Sequence, residues 1–136
     1  MTSTPRDPVR DYLRRSGAPS GIVAQGFRGL VEHWEQVVER ITAGQDQSLE
    51  DYLNDMDTRQ LLENARGLVP AEIGAMFSPR IHDADHRLRC DLVPAGRCLW
   101  GKIVAADQGW REERNWWYFE RPRAPGPMLQ HDLDRS

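Results

Sequence analysis

The sequence predicts an α+β fold: a helical N-terminal half packed on a small antiparallel sheet, of about three strands, built from the C-terminal half. Three observations predict it. Apolar residues recur every three or four positions as far as Val69, the pattern turns to alternation between His82 and Leu92, and Asn115 to Pro122 gathers four aromatics into one strand-length run. A chain of 136 residues with 39% hydrophobic residues suits one core, so residues 1–136 are expected as one domain, with 1–6 and 123–136 as mobile tails.

Asp7 before Pro8 reads as an N-cap followed by proline at the first helical position, opening a short helix that presents Val9, Tyr12 and Leu13. A longer helix follows from Ser20. Val23, Phe27, Leu30, Val31, Trp34, Val37, Val38 and Ile41 form its apolar stripe, and Gly44 ends it. Ser48 with Asp51 resembles a capping box opening a short helix through Met56, and Asp57 with Gln60 a second one carrying Leu61, Leu62, Ala65 and Leu68. Ala71 to Phe77 is one more helical piece, expected to stop before Pro79.

Between His82 and Leu92 the charged residues Asp83, Asp85, Arg87, Arg89 and Asp91 alternate with less charged ones, the strand period. Ile81, Ala84, Leu88 and Leu92 also fit a helix. On the strand reading, Pro94-Ala95-Gly96-Arg97 is a turn that places Val93 opposite Cys98 and Leu92 opposite Leu99, with Leu99 to Val104 as the next strand. Trp116-Trp117-Tyr118-Phe119, stopped by Pro122, closes the meander and is expected to seal against the long helix spanning Gly21 to Ala43.

A formal net charge of -3 lacks the basic excess that draws a protein to phosphate backbones, so nucleic acid is not an expected partner. All but one of the 18 basic residues are arginine, the type that favours bidentate pairs and interfaces. No apolar run has the roughly 18 residues that cross a bilayer, and Met1 to Arg6 lacks the apolar stretch of a secretion signal, so a cytoplasmic location and no membrane partner are expected.

His82, His86, Cys90 and Cys98 supply ligand types that zinc uses. In a strand, residues four apart stand about 13 Å from one another, too far for one ion. Only a helix brings His82, His86 and Cys90 to one face, so no metal and no cofactor are expected. Asn54-Asp55-Met56-Asp57-Thr58-Arg59 lacks the glycine and closing glutamate of a calcium loop, and reads as a helix junction in which Asp55 pairs with Arg59. His33 beside Glu35, or His82 with Asp83 and Asp85, could act as acid and base, yet no nucleophile elbow, phosphate loop or dinucleotide fingerprint accompanies them.

Tyr52-Leu53-Asn54-Asp55-Met56-Asp57-Thr58-Arg59, taken with Trp34 before it and Trp116-Trp117-Tyr118 and Pro122 after it, resembles a group of small uncharacterised bacterial proteins over residues 27 to 133. The resemblance implies a helix junction and a closing aromatic strand but no activity. The function expected from the residues is a non-catalytic interaction protein, of the immunity or antitoxin kind, meeting another protein or itself. The alternative is a small-molecule binder or enzyme with a pocket between sheet and long helix. Candidate partner- or ligand-binding residues are Trp34, Trp100, Trp116, Tyr118, Arg59 and Asp55.

Overall fold

The computed structural model describes residues 7–136; residues 1–6, expected as a tail, lie outside them. Helix α1 (Pro8–Arg15) begins as the sequence predicts, with the Asp7 carboxylate accepting the backbone N–H groups of Val9 and Arg10. Helix α2 (Ser20–Thr42) buries Phe27, Leu30, Val31, Trp34, Val37 and Val38. It breaks at Gly26, where φ of 65° and ψ of -144° lie outside the helical range and suit glycine alone. The break lets the chain pass α1, whose Arg10 side chain comes within 3.6 Å of where a Cβ would stand.

Helix α3 (Leu49–Arg66) is one continuous helix, not two meeting at Asp57. Ser48 caps it as expected, accepting the Asp51 N–H at 3.1 Å. Asp57 opens no second helix, because Trp100 and Tyr118 occupy its carboxylate and no glycine or proline interrupts the run.

Helix α4 (Ala71–Arg89) overturns the strand reading of 82–92. It buries Phe77, Ile81, Ala84 and Leu88, a spacing of four, three and four that a helix places on one face. The alternation of charge was misleading because most of those charged side chains simply face solvent. Pro79 lies inside α4 rather than beyond its end. The lost backbone bond and ring clash cost about 3 kcal/mol or more, which the packing of α4 along α2 outweighs.

The fold is therefore mostly helical, with six α-helices and a small antiparallel sheet among the described residues. That sheet has two strands, β1 (Leu92–Pro94) and β2 (Glu120–Pro122), with Leu92 opposite Pro122 and Val93 opposite Arg121. The expected third strand and the pairing of Leu92 with Leu99 do not form. Gly101, at φ 107°, turns the chain instead into helix α5 (Lys102–Gln108). Trp116–Tyr118 wind into a single 3-10 turn, which directs three consecutive aromatic side chains inward where a strand would have turned one of them out. This turn packs on α3 rather than chiefly on α2, which corrects the expected seal while leaving one continuous core.

Residues 127–135, expected as part of a mobile tail, form helix α6 (Pro127–Arg135) and bury Leu129 and Leu133. Two helix starts are capped reciprocally. Asp46, just before α3, accepts the N–H groups of Met128 (2.9 Å) and Leu129 (3.3 Å) of α6, while Asp132 of α6 accepts the Leu49 N–H at the start of α3 (2.9 Å). Gly126 makes room, since a Cβ there would run into the Asp46 side chain.

The Met128 N–H above all, with those of Leu129 and Gln47, holds the Asp46 carboxyl below its ordinary value of 3.8. A lowered carboxylate pKa stabilises the folded state above the unfolded value, and the contribution disappears as pH falls through the folded one. The protection of the amides across 127–135, relative to the intrinsic exchange rate at each pH, should therefore fall below about pH 4, near the ordinary carboxylate value. Asp46→Ala should show the lowered protection already at neutral pH, with α2 and α4 unchanged. Equal protection in the two proteins at neutral pH would contradict the capping account.

Candidate functional site

The three charged residues of the Asn54 to Arg59 segment point to three different neighbours. Asp55 meets Arg40 of α2 at 3.2 Å, Asp57 meets the aromatic C-terminal half, and Arg59 meets α4. The expected Asp55–Arg59 pair is not formed: both residues lie on one side of α3, but each finds a closer partner on an adjoining helix. Burial raises the Asp55 carboxyl above its ordinary value against the opposing pull of Arg40, and burial lowers the nearby His33.

Arg59, only 3% exposed, is the most enclosed charge described here. Its Nε and one terminal nitrogen each donate to Asp85 at 2.9 Å, a bidentate pair, and the other terminal nitrogen donates to Glu63 at 3.0 Å. The indole of Trp34 donates to the same Asp85 Oδ1 at 2.9 Å, and the guanidinium lies 4.5 Å from the Trp117 ring centre. Burial pulls the Arg59 pKa down, and the two carboxylates more than reverse this, so the side chain stays charged. Arg59 thus joins α2, α3, α4 and the aromatic turn.

Asp57 Oδ1 accepts two bonds, from the Tyr118 hydroxyl at 2.6 Å and the Trp100 indole at 3.1 Å. Burial, then Asp57, pushes the Tyr118 phenol well above its ordinary value, so it remains a donor. Trp110 stacks on Tyr118 with ring centres 3.9 Å apart. Trp116 is buried beneath Arg89, whose guanidinium lies 4.6 Å from its ring.

Trp34, Trp116, Tyr118 and Arg59 are therefore packed inside, and Asp55 is half-buried behind Arg40. Trp34 and Tyr118 spend their polar atoms on separate internal carboxylates rather than lining one pocket. Trp100 borders a shallow surface cleft of about 430 Å³ with Leu49 and Leu53. Helix α4 places His82, His86 and Cys90 on one exposed face, with Cys90 Sγ 3.9 Å from His86 Nε2. Among the described residues no three His, Cys, Asp or Glu side chains are grouped to hold a metal ion.

A mainly apolar concavity lies elsewhere, beside α5. It measures about 530 Å³, and Cys98, Ala105, Trp110 and Phe119 provide its apolar walls. Arg97, Lys102 and Arg111 stand around it. Helix α5 contributes no fully buried residue, and Ile103 on its flank is 77% exposed. Reading Leu99 to Val104 as a strand hid this site. The visible signal was glycine at 101 and 109 enclosing a helical stretch that carries the chain's one lysine.

No protein-family model, no curated protein and no solved structure matches this chain.

Removing Arg59 would leave the half-buried Asp85 with the Trp34 indole alone, and breaking an enclosed ion pair on one side costs about 3–5 kcal/mol at most. Arg59→Ala should destabilise by that order in urea unfolding. Arg59→Lys, which keeps the charge but not the fork, should recover only part of it. A lysine variant as stable as the parent would show that the bidentate geometry contributes nothing.

Proposed function

We propose that this chain is a non-catalytic interaction protein whose partner-binding face is the cleft beside α5. One observation carries the reading: an apolar concavity of about 530 Å³ is open at the surface, on a helix that buries no residue of its own. Apolar surface with aromatic walls and an arginine rim is the composition of interface centres. The internal polar groups support the same reading. Asp57, Arg59 and Asp85 spend their donors and acceptors holding helices together, which leaves them poorly placed to turn over a substrate.

An immunity- or antitoxin-type role is the specific form of this proposal, because such a protein acts by occupying a partner's surface. No described helix is long and apolar enough to cross a membrane. A small-molecule site is the second reading, favoured by the cleft volume, which falls within the roughly 300–1,000 Å³ of ligand pockets.

Ala106 is exposed on the cleft side of α5, so Ala106→Arg adds bulk there with little loss of helix propensity. Native lysate passed over the immobilised chain should yield a stoichiometric protein that Ala106→Arg no longer retains. Glu72→Lys, on the exposed start of α4, should retain it. Recovery of no protein, or equal recovery by both variants, would contradict the proposal.

A further inference from the structure

We infer that the occupant of the α5 cleft is an amphipathic helix of a partner protein, with acidic residues flanking its apolar stripe; the inference rests on the reading of this face as a protein-binding surface. The geometry of the wall comes first. Lys102, Ala105, Ala106 and Gly109 border the cleft at three- and four-residue spacing, so one face of α5 runs along it. From Lys102 to Gly109 that face extends about 10 Å at 1.5 Å per residue, the length of roughly two turns of an opposing helix. The small side chains of Ala105 and Ala106 let a second helix come close. Cys98, Trp110 and Phe119 offer apolar contact for anchors spaced i, i+3 or i+4, and i+7.

Charge decides what flanks those anchors. Lys102 stands at the start of α5, Arg111 lies beyond its end, and Arg97 projects from the loop before it. Arg97 donates to the Ser136 hydroxyl. Among the described residues none of the three forms a salt bridge, and no aspartate or glutamate lines the cleft, although Glu112 and Glu113 follow Arg111 in sequence. Three cations that form no salt bridge border this apolar surface, with Asp107, Glu112 and Glu113 nearby in sequence but outside its lining, in a chain of net charge -3. An acidic helix would meet attraction here and repulsion elsewhere, which fixes both position and register. A basic helix would meet the reverse.

The probe is a fluorescein-labelled amphipathic peptide of about 14 residues, four helical turns, with leucines at i, i+3 and i+7 flanked by glutamates. A matched peptide has lysine for every glutamate. Fluorescence anisotropy with the whole chain at low ionic strength should give roughly tenfold or tighter binding of the glutamate peptide, the scale of electrostatic selection between partners. The double charge reversal K102E/R111E should invert that preference. Both positions are exposed, and an unchanged thermal melt confirms that the fold is kept.

Equal binding of the two peptides, or no binding of either, would overturn the inference. So would a dimer of the chain itself dissolved by K102E/R111E, which would make a second copy the occupant. If the two peptides bind equally and Ala106→Arg blocks both, the charge inference fails while the binding-face reading stands. If the glutamate peptide binds Ala106→Arg as well as the parent, the binding-face reading fails as well.

Discussion

The structure turns on one buried guanidinium. Arg59 sits on α3, a central helix that buries Tyr52, Leu53, Met56, Thr58, Leu62 and Ala65 as well as this charge. A charge so enclosed is tolerable only with full compensation, and Asp85 and Glu63 provide it. That requirement sets the position of α4, because Asp85 must reach Arg59 and at the same time receive the Trp34 indole from α2. It also sets the position of the aromatic turn, since the Trp117 ring covers the open face of the guanidinium. The hydrophobic stripes supply most of the burial, and the Arg59 fork selects among the ways those stripes could pack.

Legibility in the sequence followed the range of the determining interaction. The starts of α1 and α3 were legible because Asp7 and Ser48 act within three residues of themselves. The stripe of α2 was legible because a long apolar period has few alternative explanations. Helix α4 was not, because Pro79 and alternating charge both argue locally against it, and only packing against α2 decides otherwise. Asp57 illustrates the same limit. Its side chain suits a helix start, and partners at 100 and 118 redirect it to other work.

The burial of Trp116, Trp117 and Tyr118 agrees with reading the aromatic run as interior, whereas the expected strand forms only at Glu120–Pro122. Alternation would have sent Trp116 and Trp117 to opposite faces, whereas the 3-10 turn buries both. Helix α6 escaped notice because its docking depends on Asp46 and Asp132 capping each other's neighbouring helix across more than eighty positions of chain, a distance invisible to any local pattern. The residues proposed for binding were selected as aromatic or charged, and those are the properties that made Arg59, Trp34 and Tyr118 valuable inside. The surface cleft is walled in part by Ala105 and Ala106 of α5 and by the glycines that flank this helix, residues that carry no chemical signal until the backbone brings them beside Trp110 and Phe119.

The central claim concerns a coupling, so the most direct measurement is a double-mutant cycle on Arg59 and Asp85 by urea unfolding. Arg59→Met and Asp85→Leu, alone and together, should be strongly non-additive, with the double variant losing far less stability than the two single losses added. The coupling should lie near the upper part of the range of about 0.5–3 kcal/mol seen for contacting residues. Additive losses would show that Arg59 and Asp85 act independently, and that the placement of α4 relative to α3 is set by the apolar stripes alone.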